Sequence, residues 1–155
     1  MKKIFFIVFL FLNQSQNIFS KEFKLQEAIN GLISPWSLSF ISNDRVIATE
    51  KSGNLILIDF NIKKIKQIKH NLNILEDGQG GLLEVLYFKD QVFVSYSEDL
   101  KRGYSTTSVA KANFNEDELN FQNIFRAEPP INSGYHFGSR LVIKDNLLYI
   151  TAGER

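Results

Sequence analysis

Three strand–turn–strand patterns recur along the chain, and they constrain its fold more than any other feature. In each, two runs rich in aliphatic, β-branched or aromatic residues flank a short turn of Gly, Asn, Asp, Ser or Lys, which is typical of a β-hairpin. The turns centre near residues 53, 90 and 145, and a mean spacing of about 46 residues fits four-stranded propeller blades. The predicted strands are 45–50 with 55–60, 83–88 with 91–96, and 140–143 with 147–151.

The segments between these hairpins also favour β-structure. Residues 106–114 and 119–125 are predicted strands around a turn at 115–117, and residues 24–29 form at most a turn, without sustained helical periodicity. The chain is therefore predicted to be all-β, with the N-terminal blades of a β-propeller. A β-sandwich is the alternative, because the turns are irregularly spaced. A closed ring needs about four to eight blades, so we expect a longer protein of which this chain is the N-terminal part.

The N-terminus has the layout of a secretory signal peptide. Basic Met1-Lys2-Lys3 precedes nine apolar residues (4–12) and a polar stretch (13–20). A membrane-spanning helix needs about 20 apolar residues, so no stable membrane span is expected. We expect cleavage near Ser20, an exported domain over 21–155, and a periplasmic or secreted location; a buried or anchoring N-terminal segment is the alternative.

Charge and cysteine content exclude several classes of function. Without Lys2 and Lys3 the chain has 16 basic and 17 acidic residues, a balance that argues against a nucleic-acid partner. The lysine cluster at 63–66 is expected to be a solvated strand or turn edge, with a binding patch as the alternative. The sequence contains no cysteine, which excludes disulfides and thiolate chemistry.

Two glycine-containing loops, 78–83 and 134–140, carry the candidate chemistry. His136, between two glycines, is one of only two histidines; its imidazole can accept a proton near neutral pH, although a loop histidine bonded to backbone is an equal alternative. Gln79, also between glycines, offers one acceptor and two donors to a hydroxyl-bearing substrate, or it is simply a turn residue. The two loops are predicted to converge on one pocket.

Other polar and aromatic residues receive simpler interpretations. His70 is expected on the surface, and Trp36 is expected to pack in the core or between blades rather than to serve as a stacking platform. Glu76 and Asp77 are expected to be solvated, with a metal role as the alternative. Glu154 follows the third hairpin, and the sequence does not show what it faces.

Six segments carry motifs that together suggest a family: LISPWSLSF (32–40), TEKSGNL (49–55), GQGGLL (78–83), VFVSY (92–96), HFGSRL (136–141) and LYITAGER (148–155). In this order they resemble the glucose/sorbosone dehydrogenase family, specifically the soluble PQQ-dependent aldose sugar dehydrogenases. The resemblance covers about residues 25–155.

The resemblance implies a six-bladed β-propeller that oxidises aldose sugars to lactones with pyrroloquinoline quinone (PQQ) and calcium, passing electrons to a periplasmic acceptor. It implies that His136 is the general base for the anomeric hydroxyl while hydride passes from C1 to the quinone, and that Gln79 lies in the substrate pocket. It places the residues that hold PQQ and calcium beyond Arg155, so no metal ligand is expected here and the 155-residue chain is expected to be inactive alone.

One departure from the family pattern bears on the substrate. Glucose-oxidising relatives have an acidic residue before the catalytic histidine, where this chain has Tyr135, which favours a looser aldose preference. Two alternatives to an enzyme remain: a non-enzymatic secreted propeller that binds carbohydrate or a protein partner, and a degenerate fragment without a stable fold.

Overall fold

The computed structural model describes residues 23–154, which form a series of antiparallel β-sheets. The predicted signal peptide, residues 1–20, lies outside this range. No helix of a length and apolar character that could span a bilayer occurs among residues 23–154.

Each sheet is an up-and-down meander, and we call the sheets blades 1, 2 and 3 in chain order. Blade 1 contains β1 (Pro35–Phe40), β2 (Arg45–Glu50), β3 (Leu55–Asp59) and β4 (Lys64–His70). Blade 2 contains β5 (Leu82–Phe88), β6 (Gln91–Asp99), β7 (Ser105–Asn113) and β9 (Gln122–Arg126), while β8 (Glu118–Leu119) pairs in parallel with β4. Blade 3 begins with β10 (Gly138–Lys144) and β11 (Leu147–Ala152).

The core lies between the faces of successive blades. Because central strands are buried on both faces, they are almost continuously apolar rather than alternating: Val46 and Ile47, neighbours on β2, are both buried, in different clusters. Each such side chain contributes about 1.5–3 kcal/mol on burial. The cluster between blades 1 and 2 includes Ile47, Leu55, Leu82 and Val94, and the cluster between blades 2 and 3 includes Phe93, Val109 and Leu141. The prediction of propeller blades is confirmed, since a sandwich has only one such interface.

The three predicted hairpins are not equivalent in the blades, so the sequence repeat was placed in the wrong phase. The first corresponds to β2–β3, the middle pair of blade 1, whereas the others are the first two strands of their blades, β5–β6 and β10–β11. The true equivalent in blade 1 is β1–β2, with its turn at 41–44. Every neighbouring pair in a meander is an antiparallel hairpin, so a hairpin signal alone does not fix its position in the blade.

The predicted strand 119–125 is also wrong, because the structure divides it between two blades. The side chain of Asn71 accepts from the Phe121 N–H at 2.8 Å and donates to the Phe121 carbonyl at 3.1 Å. These bonds take both backbone groups of Phe121 out of the strand ladder, so β8 ends on blade 1 and β9 begins on blade 2.

The first strand of each blade begins with an irregular register, and this places the site. Register shifts fall between Pro35 and Ser37 on β1, Leu82 and Val85 on β5, and Gly138 and Leu141 on β10. β5 contacts both β1 and β10, so the three strands begin side by side. The loops that precede them therefore lie close together.

Candidate active site

The two glycine-containing loops meet directly. The Gln79 N–H donates to the Gly134 carbonyl at 2.6 Å, and the His136 N–H donates to Gln79 Oε1 at 2.9 Å. A Cβ on Gly78 would fall inside the van der Waals radius of the Gly134 carbonyl, so only glycine permits this approach. Gln79 and His136, predicted separately, thus form one hydrogen-bonded unit.

A pocket of ≈ 180 Å³ lies where the first strands of the three blades begin. It is bounded by one residue of blade 1, two from the start of blade 2 and three from the start of blade 3: Trp36, Gln79, Leu83, His136, Phe137 and Gly138. A larger groove, ≈ 420 Å³, shares Trp36 with this pocket and extends over the mainly apolar face of blade 1 that includes Val46, Ala48 and Ile58. The smaller pocket, which includes both predicted polar residues, is the candidate site.

His136 is paired with an acidic side chain that the sequence interpretation left unassigned. Its Nδ1 is hydrogen-bonded to Oε1 of Glu154. A bond from the residue's own backbone N–H, followed by the bond and charge of the His136 ring, lowers the pKa of the Glu154 carboxyl. The carboxylate is therefore ionised at neutral pH and can only accept a hydrogen bond.

This pairing fixes the tautomer of the neutral imidazole. Because Glu154 accepts, the proton lies on Nδ1 and the lone pair lies on Nε2. Among residues 23–154, no hydrogen-bond partner reaches Nε2 of His136. The ring lies on the pocket wall and its side chain is about half exposed, so it can accept a proton from a bound molecule.

The β10–β11 register explains how Glu154 reaches His136. Gly138 pairs with Ala152, and continuing this pairing outward from the turn brings residue 154 to residue 136. A Cβ on Gly153 would overlap the His136 carbonyl, so the close passage requires glycine. The regular register of this hairpin, in which Leu141 pairs with Ile150, would set position 155 rather than Glu154 opposite His136. The register shift between Gly138 and Leu141 brings Glu154 there, so the hairpin pattern in the sequence does not identify it.

Lys51 is a second residue that the sequence interpretation missed. It was assigned only to a turn, but its Nζ donates to the Gly78 carbonyl at 2.5 Å and its backbone carbonyl accepts from the Leu82 N–H at 3.1 Å. Blade 1 thus also holds the Gln79 loop and places a positive charge beside it.

His70, expected on the surface, is partly buried and its ring bonds to backbone: its Nε2–H donates to the Gly53 carbonyl at 2.7 Å, and its Nδ1 accepts from the Leu72 N–H at 3.3 Å. Of the two positions predicted for Trp36, the core is wrong, because the side chain is 41% exposed. Trp36 lies at the pocket where the first strands of the three blades begin.

Three other residues considered in the sequence, Tyr135, Glu76 and Asp77, lie outside the hydrogen bond between Gln79 and His136. Tyr135 is 60% exposed next to His136. Glu76 and Asp77 belong to no candidate metal site, since residues 23–154 contain no group of three or more His, Asp or Glu side chains placed to hold an ion.

Comparison with known proteins identifies relatives over most of the chain. The family model for glucose/sorbosone dehydrogenase matches residues 32–155. Aldose sugar dehydrogenase YliI of Escherichia coli (strain K12) is 30% identical over 130 residues, which are 77% of this chain and 35% of that protein.

Solved structures show the same architecture. A crystal structure of a glucose dehydrogenase is 31% identical and superposes with a TM-score of 0.77, covering 83% of this chain and 40% of the other. The PQQ-bound aldose sugar dehydrogenase of Streptomyces coelicolor is 19% identical, with a TM-score of 0.72 over 84% of this chain and 41% of its own, and shows the fold alone. The chain thus spans well under half the length of these relatives.

Proposed function

The chain belongs to the glucose/sorbosone dehydrogenase family, and from that premise we propose that its blades supply the base and a substrate-binding amide of a PQQ-dependent aldose sugar dehydrogenase. The reaction takes an aldose to its lactone: the C1 hydrogen leaves as hydride and the anomeric O–H loses a proton. When bound, PQQ would supply the acceptor of the hydride's two electrons.

His136 would take the proton from the anomeric hydroxyl on Nε2. The hydrogen bond from Nδ1 to Glu154 supports this role in two ways. It keeps the lone pair on Nε2 before the reaction, and it places a carboxylate beside the imidazolium that forms. The pair contributes both orientation and charge, as a carboxylate beside a basic histidine does in other enzymes.

Gln79 would bind a sugar hydroxyl through its amide NH₂ group. Its Oε1 is already occupied by the His136 N–H, so the two N–H bonds of the amide are the groups left for a substrate. Because the same side chain holds the His136 backbone, a bound sugar and the base would share one rigid support. Such a fixed separation between reacting groups lowers the entropic part of the barrier.

The described residues are better suited to binding a sugar next to a quinone than to binding a metal ion. A base, an amide, an aromatic wall from Trp36 and the Lys51 ammonium lie at or beside one pocket. Residues 23–154 contain no group of three or more His, Asp or Glu side chains placed to hold an ion. From the family resemblance we propose that calcium and most of PQQ are held by the other blades of the whole protein.

Three finer parts of the proposal rest on the sequence. Tyr135, exposed beside the base, supports a broad aldose preference over strict glucose specificity. The N-terminal 20 residues support export to the periplasm or outside the cell. A periplasmic electron acceptor would then reoxidise the quinone.

One observation carries the proposal: His136 lies at one pocket with Gln79, bonds through its backbone to that amide, and bonds through its ring to Glu154. The test joins this chain to the remaining blades of the E. coli relative and follows aldose oxidation with an electron-accepting dye. We expect turnover only with both PQQ and calcium, its loss on chelation of calcium, and none from the 155-residue chain alone. A fusion that binds PQQ and sugar without oxidising the sugar would contradict the enzyme and favour a carbohydrate-binding propeller.

A further inference from the structure

Two buried hydroxyl groups of blade 2 hold the segment that follows His136. Thr107 Oγ1 donates to the Phe137 carbonyl at 2.5 Å, and Ser95 Oγ donates to the Ser139 carbonyl at 2.7 Å. Both donors are fully buried. They hold the backbone carbonyls of Phe137 and Ser139, which lie on either side of Gly138 and follow His136 by one and three residues.

The Phe137 carbonyl also joins this segment to the end of β11. The Gly153 N–H donates to the same oxygen at 3.3 Å, and Gly153 immediately precedes Glu154. A single carbonyl therefore connects the residue after His136, the residue before Glu154 and the Thr107 hydroxyl. Moving that carbonyl would move both members of the His136–Glu154 pair.

The backbone here needs such external support. His136 has a φ of +62° and Ser139 a φ of +109°, conformations that residues other than glycine seldom adopt. Strained backbone of this kind persists only where the surrounding structure fixes it, and it gathers at functional sites.

A neighbouring residue shows what an ordinary buried hydroxyl does in the same strand. Thr106 is almost as buried as Thr107, and its Oγ1 donates at 2.5 Å to the Ala127 carbonyl. That carbonyl belongs neither to the His136 segment nor to the end of β11. The two threonines are thus alike in strand, burial and bond length, and differ in the segment they hold.

We propose that Thr107 is a positioning residue for the His136–Glu154 pair, acting through the Phe137 carbonyl, with Ser95 as a second anchor of the same segment. The proposal rests on the proposed function only for its kinetic consequence. The geometry of the pair can be measured without turnover.

The test compares Thr107→Val with Thr106→Val, each of which keeps the side-chain shape and removes one hydroxyl. The first readout is ¹⁵N NMR of the His136 ring in the 155-residue chain, which reports whether the proton lies on Nδ1 or Nε2. We expect Thr106→Val to keep the Nδ1–H tautomer, whereas Thr107→Val gives a mixture of both tautomers. Thr107→Ser, which keeps the donor, should restore the single tautomer.

The second readout is kinetic and uses the fusion with the remaining blades. Thr107→Val should lower kcat about tenfold to 100-fold through misplacement of the base, with KM for the sugar changed less than about threefold. Thr106→Val should leave both constants near those of the parent, even if the two variants lose similar thermal stability.

The outcomes separate this inference from the proposed function. Equal tautomer populations and equal kcat in the two valine variants would overturn the role of Thr107. If replacing His136 leaves oxidation unchanged, the proposed function fails, and the tautomer comparison still decides whether Thr107 positions the pair. Should Thr107→Val not fold, Thr107→Cys keeps a similar volume with a weak donor and should shift the tautomers in the same direction.

Discussion

Replacing His136 with asparagine is expected to lower kcat for aldose oxidation by about 10²- to 10⁴-fold, the usual contribution of a positioned general base. Asparagine keeps a polar side chain but has no lone pair of suitable basicity to take the proton. KM should change little, because the Gln79 amide still offers its N–H bonds to the sugar. The measurement is steady-state dye reduction by the fusion, with PQQ and calcium in excess.

The matched control is His70→Asn. His70 bonds to Gly53 and Leu72 within blade 1 and contacts neither Gln79 nor Glu154. Its replacement should lower stability while leaving kcat near that of the parent. Equal activity of His136→Asn and the parent would show that another group takes the proton.

Glu154→Gln is expected to produce the second largest effect, a fall in kcat of about 100-fold, comparable to the loss of one preorganised electrostatic contact. The amide oxygen can still accept from Nδ1, but it carries no charge to stabilise the imidazolium. Asp117→Asn is the control, because Asp117 is, like Glu154, an exposed carboxylate with a side-chain partner, here Lys66 at 2.6 Å, and it does not line the pocket.

The pH dependence should change in the same variant. The pKa of Glu154 is lowered in the folded protein, so its pairing with His136 is present above the ordinary carboxyl range and is lost as pH falls through the lowered folded value. We expect kcat of the parent to exceed kcat of Glu154→Gln throughout the neutral pH range, and the difference to disappear only in acid. Equal kcat values at neutral pH would contradict the lowered pKa of Glu154.

Much of the fold could be predicted because its signals are local. β2, β3, β5, β6, β10 and β11 are short apolar runs that end at Gly, Asn or Asp turns, and their positions agree with the prediction to within a few residues. β1 was not assigned to a hairpin, since it begins at Pro35 and alternates with serines. The break in 119–125 depends on Asn71, 50 residues earlier, and no local pattern reveals it.

Some residues of the candidate site could likewise be predicted from local sequence, and others could not. His136 and Gln79 stand out because glycines flank them, and the structure brings them together. Glu154, Lys51 and Thr107 become visible only through strand register or packing between blades, which a single sequence does not encode locally. The catalytic roles, the signal peptide, PQQ and calcium remain predictions from sequence and family.

The most direct test of the central claim is the ¹⁵N NMR spectrum of His136 in this chain at neutral pH. The claim is that Glu154 holds the proton on Nδ1 and leaves Nε2 to accept one. In the neutral form of the ring we expect the proton on Nδ1, with Nε2 showing the shift of an unprotonated ring nitrogen. A neutral ring whose proton lies on Nε2 would contradict the claim.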